Sequence, residues 1–429
     1  MAALVAAVAA AGCTSGDDEV SEGGTASSAP ATVRFLVAGE PEELEAFRQV
    51  SAAFEQERPE IDVVLEELAE RDELIARLSS SIAGGEPPDL FLLNYRYFGQ
   101  FAARDAIEPL DERIANSDVF TKDDFYPEAM EAFEFGGQQL CMPQNISSLV
   151  VYYNETLFRQ AKIDVPRDGW SWDTMVDMAS KLTIDKDNDG TPEQYGLGVD
   201  PEVIRIAPFV WSNGGQIVDN EADPTTFTWS SVEAQQAMQL FFDLRGTYGV
   251  VPTDEELESE DNESRFLNGR TAMLMESRKV VPSFRTIKDF HWDVLPLPVL
   301  REPATVLHSD GYCMVASSQV KDAAWDFTEF AMGPEGQRIT AGTGRTVPSL
   351  RSIAESSVFL NPGAEPAHSQ VFLDSIPVIQ RVPNISTWTE IEDTANALIE
   401  EGMYEGDPAE EIARQIDRQT KPMFARGEG

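Results

Sequence analysis

The densest run of chemically capable side chains in this 429-residue chain is Asp185-Lys-Asp187-Asn-Asp189-Gly190-Thr-Pro-Glu193-Gln-Tyr-Gly196. Carboxylates at alternate positions ahead of a glycine form the first half of a loop that surrounds a hard cation with oxygen. Asp185, Asp187 and Asp189 are therefore candidate ligands of a structural calcium. The twelfth position is Gly196, where such a loop needs a bidentate Glu, so an ordinary Asp/Asn/Gly turn is the competing reading. A second pattern sets aromatic rings beside polar residues and glycines: Asn94-Tyr95-Arg96-Tyr97, Trp211-Ser-Asn213-Gly214-Gly215, Asp310-Gly311-Tyr312 and Trp388. A sugar needs flat aromatic faces for its C–H patches and amides, carboxylates or Arg for its hydroxyls. Each ring taken singly is more often a core residue than a ligand platform, and the polar neighbours and glycines are what point to a cleft.

Covalent chemistry has little to work with. The chain has no His-Glu-x-x-His pair, Cys-x-x-Cys, Gly-x-Ser-x-Gly elbow, Walker loop or dinucleotide glycine fingerprint. Its three histidines are His291, His308 and His368, and no catalytic residue is predicted. Carboxylate pairs carry no information, because 75 acidic residues produce many by chance. Against 32 basic residues they leave a net charge of −43, which repels nucleic-acid phosphates and anionic lipid and reads as a solvated surface. Hydrophobic residues make up 42% of the chain and aromatics 9%, ample for sizeable cores, and the length suggests two or three domains at roughly 150 residues each.

The elements that position these residues begin with an apolar strand, Val33 to Val37, followed by a Gly39-Glu40-Pro41 turn. Leu44, Phe47, Val50 and Phe54 then recur at helical spacing. Ile61 to Leu65 predicts a second strand, and Leu74, Ile75, Leu78 and Ile82 a second helix stopped by Gly84-Gly85. Pro87-Pro88 leads into a third strand at Asp89 to Leu93. This alternation predicts an α/β fold built on an open, mostly parallel sheet with helices on both faces. Further helices are expected around 172–181, 231–245 and 323–331, with an extended apolar stretch from Cys141 to Tyr153. No second low-complexity linker exists, so two lobes would be joined by ordered strands with a cleft between them.

Residues 1–12 are small and apolar and end in Ala10-Ala11-Gly12-Cys13, followed by a Ser/Gly/Ala/Asp/Glu stretch to Pro30. A run of about a dozen residues is too short to span a bilayer and suits an export signal. The small residues before Cys13 resemble a bacterial lipoprotein cleavage box, which makes 1–12 the signal peptide, Cys13 the lipidation site and 13–31 a tether.

The order of segments resembles the family 1 extracellular solute-binding proteins, the maltose-binding-like components of ABC sugar importers, from about Thr32 to Pro422. It rests on Pro41-Glu-Glu-Leu-Glu-Ala-Phe, Phe54-Glu-Gln-Glu-Arg-Pro, Pro87-Pro-Asp-Leu-Phe, Gly137-Gln-Gln-Leu-Cys-Met-Pro143 and Val151-Tyr-Tyr-Asn154-Glu-Thr-Leu-Phe158. Asn213-Gly-Gly215, Phe266-Leu-Asn-Gly-Arg-Thr-Ala-Met273 and Ala323-Ala-Trp-Asp-Phe-Thr-Glu-Phe continue it. The resemblance implies two α/β lobes, 32–142 plus 313–346 and 143–312 plus 347–429, with three crossovers near 141–144, 309–314 and 345–349. On that reading Cys141 and Cys313 lie on neighbouring hinge strands, either bonded or as buried thiols. Ligand contacts are implied at Glu40, Asn94, Tyr95, Gln144 and Asn145, and from the other lobe at Trp211, Asn213, Gly214, Glu276, Ser277 and Arg278. Asp310, Gly311, Tyr312, Arg345 and Trp388 complete the set. For Glu40 the alternative is a carboxylate at a helix N-terminus, and for Arg278 and Arg345 a surface ion pair. The implied protein is a monomer without a cofactor that captures a carbohydrate outside the cytoplasm and passes it to an ABC permease. Its only membrane contact is a lipid anchor. A binder of polyamines or polyol phosphates, and an exported carbohydrate-active enzyme, are the rival readings.

Overall fold

The computed structural model describes residues 31–166 and 169–427. The signal peptide, Cys13 and tether residues 13–30 lie outside the described residues. Among the described residues no helix is long and apolar enough to cross a membrane.

The molecule has two lobes, each built on its own sheet. The first sheet runs in the order Ile61–Leu68, Ala31–Ala38, Leu90–Asn94, Asp310–Met314, Cys141–Pro143. Its first three strands are parallel, and Asp310–Met314 is antiparallel to both of its neighbours. The second sheet runs Trp292–Leu295, Val150–Asn154, Thr271–Glu276, Tyr195–Gly198, with Val150–Asn154 reversed against the rest. Each sheet is thus mostly parallel, with one strand running against the others.

The predicted periodicities are realised. Val33, Phe35 and Val37 face one side of their strand and meet Phe47, Val50 and Phe54 of the helix Pro41–Glu57, while Leu36 faces the other side toward Leu74 and Leu78 of the helix Arg71–Gly84. That second helix ends where Gly85 takes a left-handed φ of 78°, a conformation open to glycine without cost. Burial of such side chains contributes about 1.5–3 kcal/mol each, which makes the two faces of each sheet the main source of stability.

A three-stranded ribbon, Ile379–Gln380, Thr305–His308 and Ser147–Ser148, joins the lobes. The chain leaves the first sheet at Pro143 and reaches the second through this ribbon, and it returns directly from Thr305–His308 into Asp310–Met314. A third segment passes alongside, where Ile146 N–H donates to the Val347 carbonyl at 2.9 Å and Asn145 bridges Pro348. The boundary expected at 312/313 falls inside the strand Asp310–Met314, which pairs on both sides with strands of the first sheet. Leu350 and Ile353, expected in the second lobe, pack in the first lobe's core, because Leu350 bridges Phe125 and Arg351 Nε donates to the Phe125 carbonyl. Cys141 and Cys313 stand directly opposite one another on adjacent strands and form a disulfide.

Candidate functional site

The C-terminal ends of the first lobe's parallel strands and the start of the second lobe's helix Val203–Ser212 face each other across a cleft. It holds two adjoining cavities of about 360 and 280 Å³ that share Arg71, Asn94, Lys279, Asp310 and Arg345. Its walls are charged. Arg96 Nη1 donates to Glu392 Oε1 at 2.7 Å, with both side chains buried, and this pair ties the two lobes together at the floor. On the second-lobe wall Arg205 Nη2 donates to Glu276 Oε2 at 2.5 Å, and Lys279 lies 3.7 Å from the same carboxylate and pairs with Glu263. Nearer the mouth, Arg345 pairs with Glu43 at 2.5 Å, and its Nη1 donates across the cleft to the Lys279 carbonyl at 3.4 Å.

These pairings set the protonation states. Burial opposes ionisation of Glu276, but Arg205 and Lys279 outweigh it and hold the carboxyl at about 2. Glu202 and Glu43, for which burial wins over Arg205 and Arg345 respectively, are pushed above the usual carboxylate range. Burial, reinforced by Arg205 and Arg96, drives His308 well below the usual imidazole range, so it is neutral at physiological pH.

The expected site residues divide. Glu40, Asn94, Asn145, Glu276, Ser277, Asp310 and Arg345 line the cleft. Two of these are already committed to local structure: Asn94 caps the helix Tyr95–Ala102 by accepting from the Arg96 N–H. Asn145 staples the hinge, its Oδ1 accepting from Asp310 N–H at 2.7 Å and its Nδ2 donating to the His308 carbonyl at 3.2 Å.

The aromatic expectations are corrected. Tyr95 is fully buried and its hydroxyl accepts from Val382 N–H; Tyr312 stacks on Phe35 inside the first lobe; Trp388 packs against Phe227 and Phe424. Trp211 lines a different cavity of about 570 Å³ on the far side of the hinge strand, where Leu307 faces it and His308 faces the cleft. In each case the ring buries more apolar surface in a core than a wet cleft could offer. Asn213 is also drawn away, its Nδ2 donating to the Glu233 carbonyl and Gln236, and Gly214, with φ at 82°, makes the turn that ends the helix. The Gln144 side chain pairs with the Tyr312 hydroxyl, and Gly311 sits over the Phe133 ring. Arg278 is buried between the Phe359 and Phe372 rings, 4.3 and 4.9 Å away, and burial lowers it to about 9.

Arg96, Tyr97, Glu202, Arg205, Lys279, His308 and Glu392 line the cleft without having been singled out. A signal existed for Arg205: it is the one charge in Val203–Ser212, a helix buried along its whole length. For Arg96 and Tyr97 the segment was recognised, but the turn into a helix after Asn94 rotates Tyr95 inward and its two followers outward.

In the acidic loop Asp185, Asp187 and Glu193 bring carboxylate oxygens within 4.8 Å of one another. The expected third ligand, Asp189, instead accepts from Thr191 N–H, while Asp185 accepts from Asn188 and Gly190 N–H groups. The backbone donors make this a self-satisfied turn.

A sequence profile described as "Bacterial extracellular solute-binding protein" matches residues 49–366. The chain is 26% identical over 305 residues to the maltotriose-binding protein of Pyrococcus abyssi, covering 69% of this chain and 61% of that protein. Its fold superposes with a TM-score of 0.84 on an ABC substrate-binding protein from Listeria monocytogenes in complex with cycloalternan, at 25% identity over 92% of this chain and 99% of that one. UgpB from Mycobacterium tuberculosis in complex with glycerophosphocholine superposes at 0.80, with 18% identity over 93% and 99% of the two chains.

Proposed function

The chain belongs to the bacterial extracellular solute-binding protein family, and we propose that it captures a carbohydrate in its interlobe cleft and delivers it to the permease of an ABC importer. The observation that carries this reading is the cleft itself, with charged pairs on both walls and an ordered hinge ribbon joining the lobes. Hydroxyls of a sugar both donate and accept, so paired guanidinium and carboxylate groups satisfy them from two sides. The relatives named for maltotriose and cycloalternan support a saccharide.

Capture works by population shift: ligand bound to one wall gains contacts to the other on closure, and the closed form docks on the permease. Both walls come from one chain, so a monomer suffices. Cys13 serves as the lipid anchor that keeps the protein beside its permease outside the cytoplasm. The mechanism is binding without turnover, and it requires no cofactor. The lobes divide at the hinge ribbon, residues 31–143 with 310–358 forming the first.

A cationic solute is the second reading, favoured by Glu40, Glu42, Glu43, Glu70 and Glu263 around the outer cavity. Thermal unfolding of the protein truncated before Ala31 against mono- and oligosaccharides, polyamines and polyol phosphates separates the two, since a ligand of the folded state raises the midpoint. A saturable rise with a saccharide that is recovered unaltered supports the proposal. A rise only with polyamines moves the ligand, and consumption of a sugar makes the protein an enzyme.

A further inference from the structure

Arg205 leaves donors unused at the heart of the cleft. It stands on the first turn of Val203–Ser212 with its side chain 5% exposed. Nη2 is taken by Glu276, but Nε lies 3.8 Å from Glu202, beyond hydrogen-bond reach, and neither Nε nor Nη1 has an acceptor. His308 Nε2, on the hinge strand beside it, is likewise buried without a partner. Buried polar atoms without partners are rare in folded proteins, and the occurrence of three together in a cleft marks a place where a ligand completes the network. Stacking offers no substitute. Among the described residues Tyr97 is the only Phe, Tyr or Trp lining either cleft cavity, and its ring is occupied by the Arg71 and Arg96 guanidinium groups at 5.6 and 5.2 Å.

We infer that Arg205 and Glu276 together read an uncharged vicinal hydroxyl pair of the ligand, one hydroxyl oxygen accepting from Arg205 and the neighbouring O–H donating to Glu202 or Glu276. This rests on the carbohydrate reading and narrows it. Pivoting on its Glu276 contact, the guanidinium turns Nη1 toward the hydroxyl. The charge balance selects a neutral group. An anion here meets Glu276, Glu202 and Asp200, and a cation meets Arg205 and Lys279, whereas a diol donates to the first set and accepts from the second. Arg205 is therefore a specificity-determining residue, and affinity comes from charge-assisted hydrogen bonds in place of aromatic stacking.

The test is calorimetric titration of wild type and R205K with D-mannitol, D-glucose, maltose and maltotriose, with D-glucuronate and D-glucosamine as charged counterparts. The tightest neutral ligand is then compared with its monodeoxy analogues. In wild type, removal of one particular hydroxyl is expected to weaken binding about tenfold or more, as loss of a charge-assisted hydrogen bond should. R205K, folded by its unfolding midpoint, should bind the parent at least about tenfold more weakly and be indifferent to that same deletion. R205K with wild-type affinity and an undiminished deoxy penalty overturns the inference, as does preference for glucuronate or glucosamine. If R205K does not fold, the wild-type comparison of neutral and charged ligands decides alone. Should no member of the panel bind, the carbohydrate reading fails first.

Discussion

Arg96, at the start of the helix Tyr95–Ala102 in the first lobe, donates to Glu392, on the helix Trp388–Glu405 of the second, across 2.7 Å at the cleft floor. Both side chains are almost wholly buried at the cleft wall, so each charge gains little hydration if its partner is lost. Glu392→Gln keeps the shape and removes the charge, leaving the Arg96 guanidinium buried and uncompensated. The expected cost is about 3–5 kcal/mol in urea unfolding, with the double variant Arg96→Met/Glu392→Leu, which removes both charges, recovering much of it. A cost under about 1 kcal/mol for Glu392→Gln would mean that water reaches the pair.

Gly99 lies one turn further along the same helix, where a Cβ would stand 2.0 Å from the Asn384 carbonyl oxygen. Only a bare backbone lets the helix lie against the second lobe here. Gly99→Ala must push the two apart, with an expected loss of about 1–3 kcal/mol in spite of alanine's better helix propensity. A stabilised Gly99→Ala protein, read by its unfolding midpoint, would show that this interlobe contact gives way freely.

Glu276 gives the cleft a pH signature. Its folded-state carboxyl sits at about 2, below the ordinary 4.5, so the unfolded chain takes up the proton first as pH falls. The stability from its pairing is thus complete above about 4.5 and is lost as pH falls from there toward 2. Glu276→Gln is expected to cost a few kcal/mol at pH 7 by stranding Arg205, and the gap to wild type should shrink over that acid window. Urea titrations at pH 7, 5, 4 and 3 measure the gap; a gap that stays constant would show that the carboxylate is not held ionised.

Strand, helix and turn positions of the first lobe were legible because period and punctuation agree there: alternating Val33, Phe35 and Val37, a helical run through Phe54, and a glycine stop at Gly85. The cleft's location was legible through the ends of those strands. Which side chains face it was not, because one residue of helical rotation decides between Tyr95, turned into the core, and Arg96, turned into the cleft. Trp211 and Tyr312 were misplaced for a related reason, since a ring near a glycine looks the same in sequence whether the glycine opens a cleft or only turns a chain, and Trp388 because a ring among polar neighbours can as well open a helix and pack inward. The buried ion pairs Arg96–Glu392 and Arg205–Glu276 join residues 296 and 71 positions apart, a relation that local pattern does not encode.

Cys141 and Cys313 close a loop of 172 residues that contains the larger part of the second lobe. Joining such distant points restricts the unfolded chain, and the loop-closure relation for this length gives about 5 kcal/mol. The two residues sit opposite one another where the edge strand Cys141–Pro143 pairs with Asp310–Met314, and neither lines the cleft. The double variant Cys141→Ala/Cys313→Ala is therefore expected to unfold at markedly lower urea concentration while binding its ligand with an affinity within about twofold of wild type. Treatment of the wild type with dithiothreitol should reproduce the loss of stability. Equal stability with and without the bond would show that the first sheet alone sets the cohesion of the lobe, and a large fall in affinity would show that the bond also fixes the hinge strands on which Asp310 and Asn145 are held.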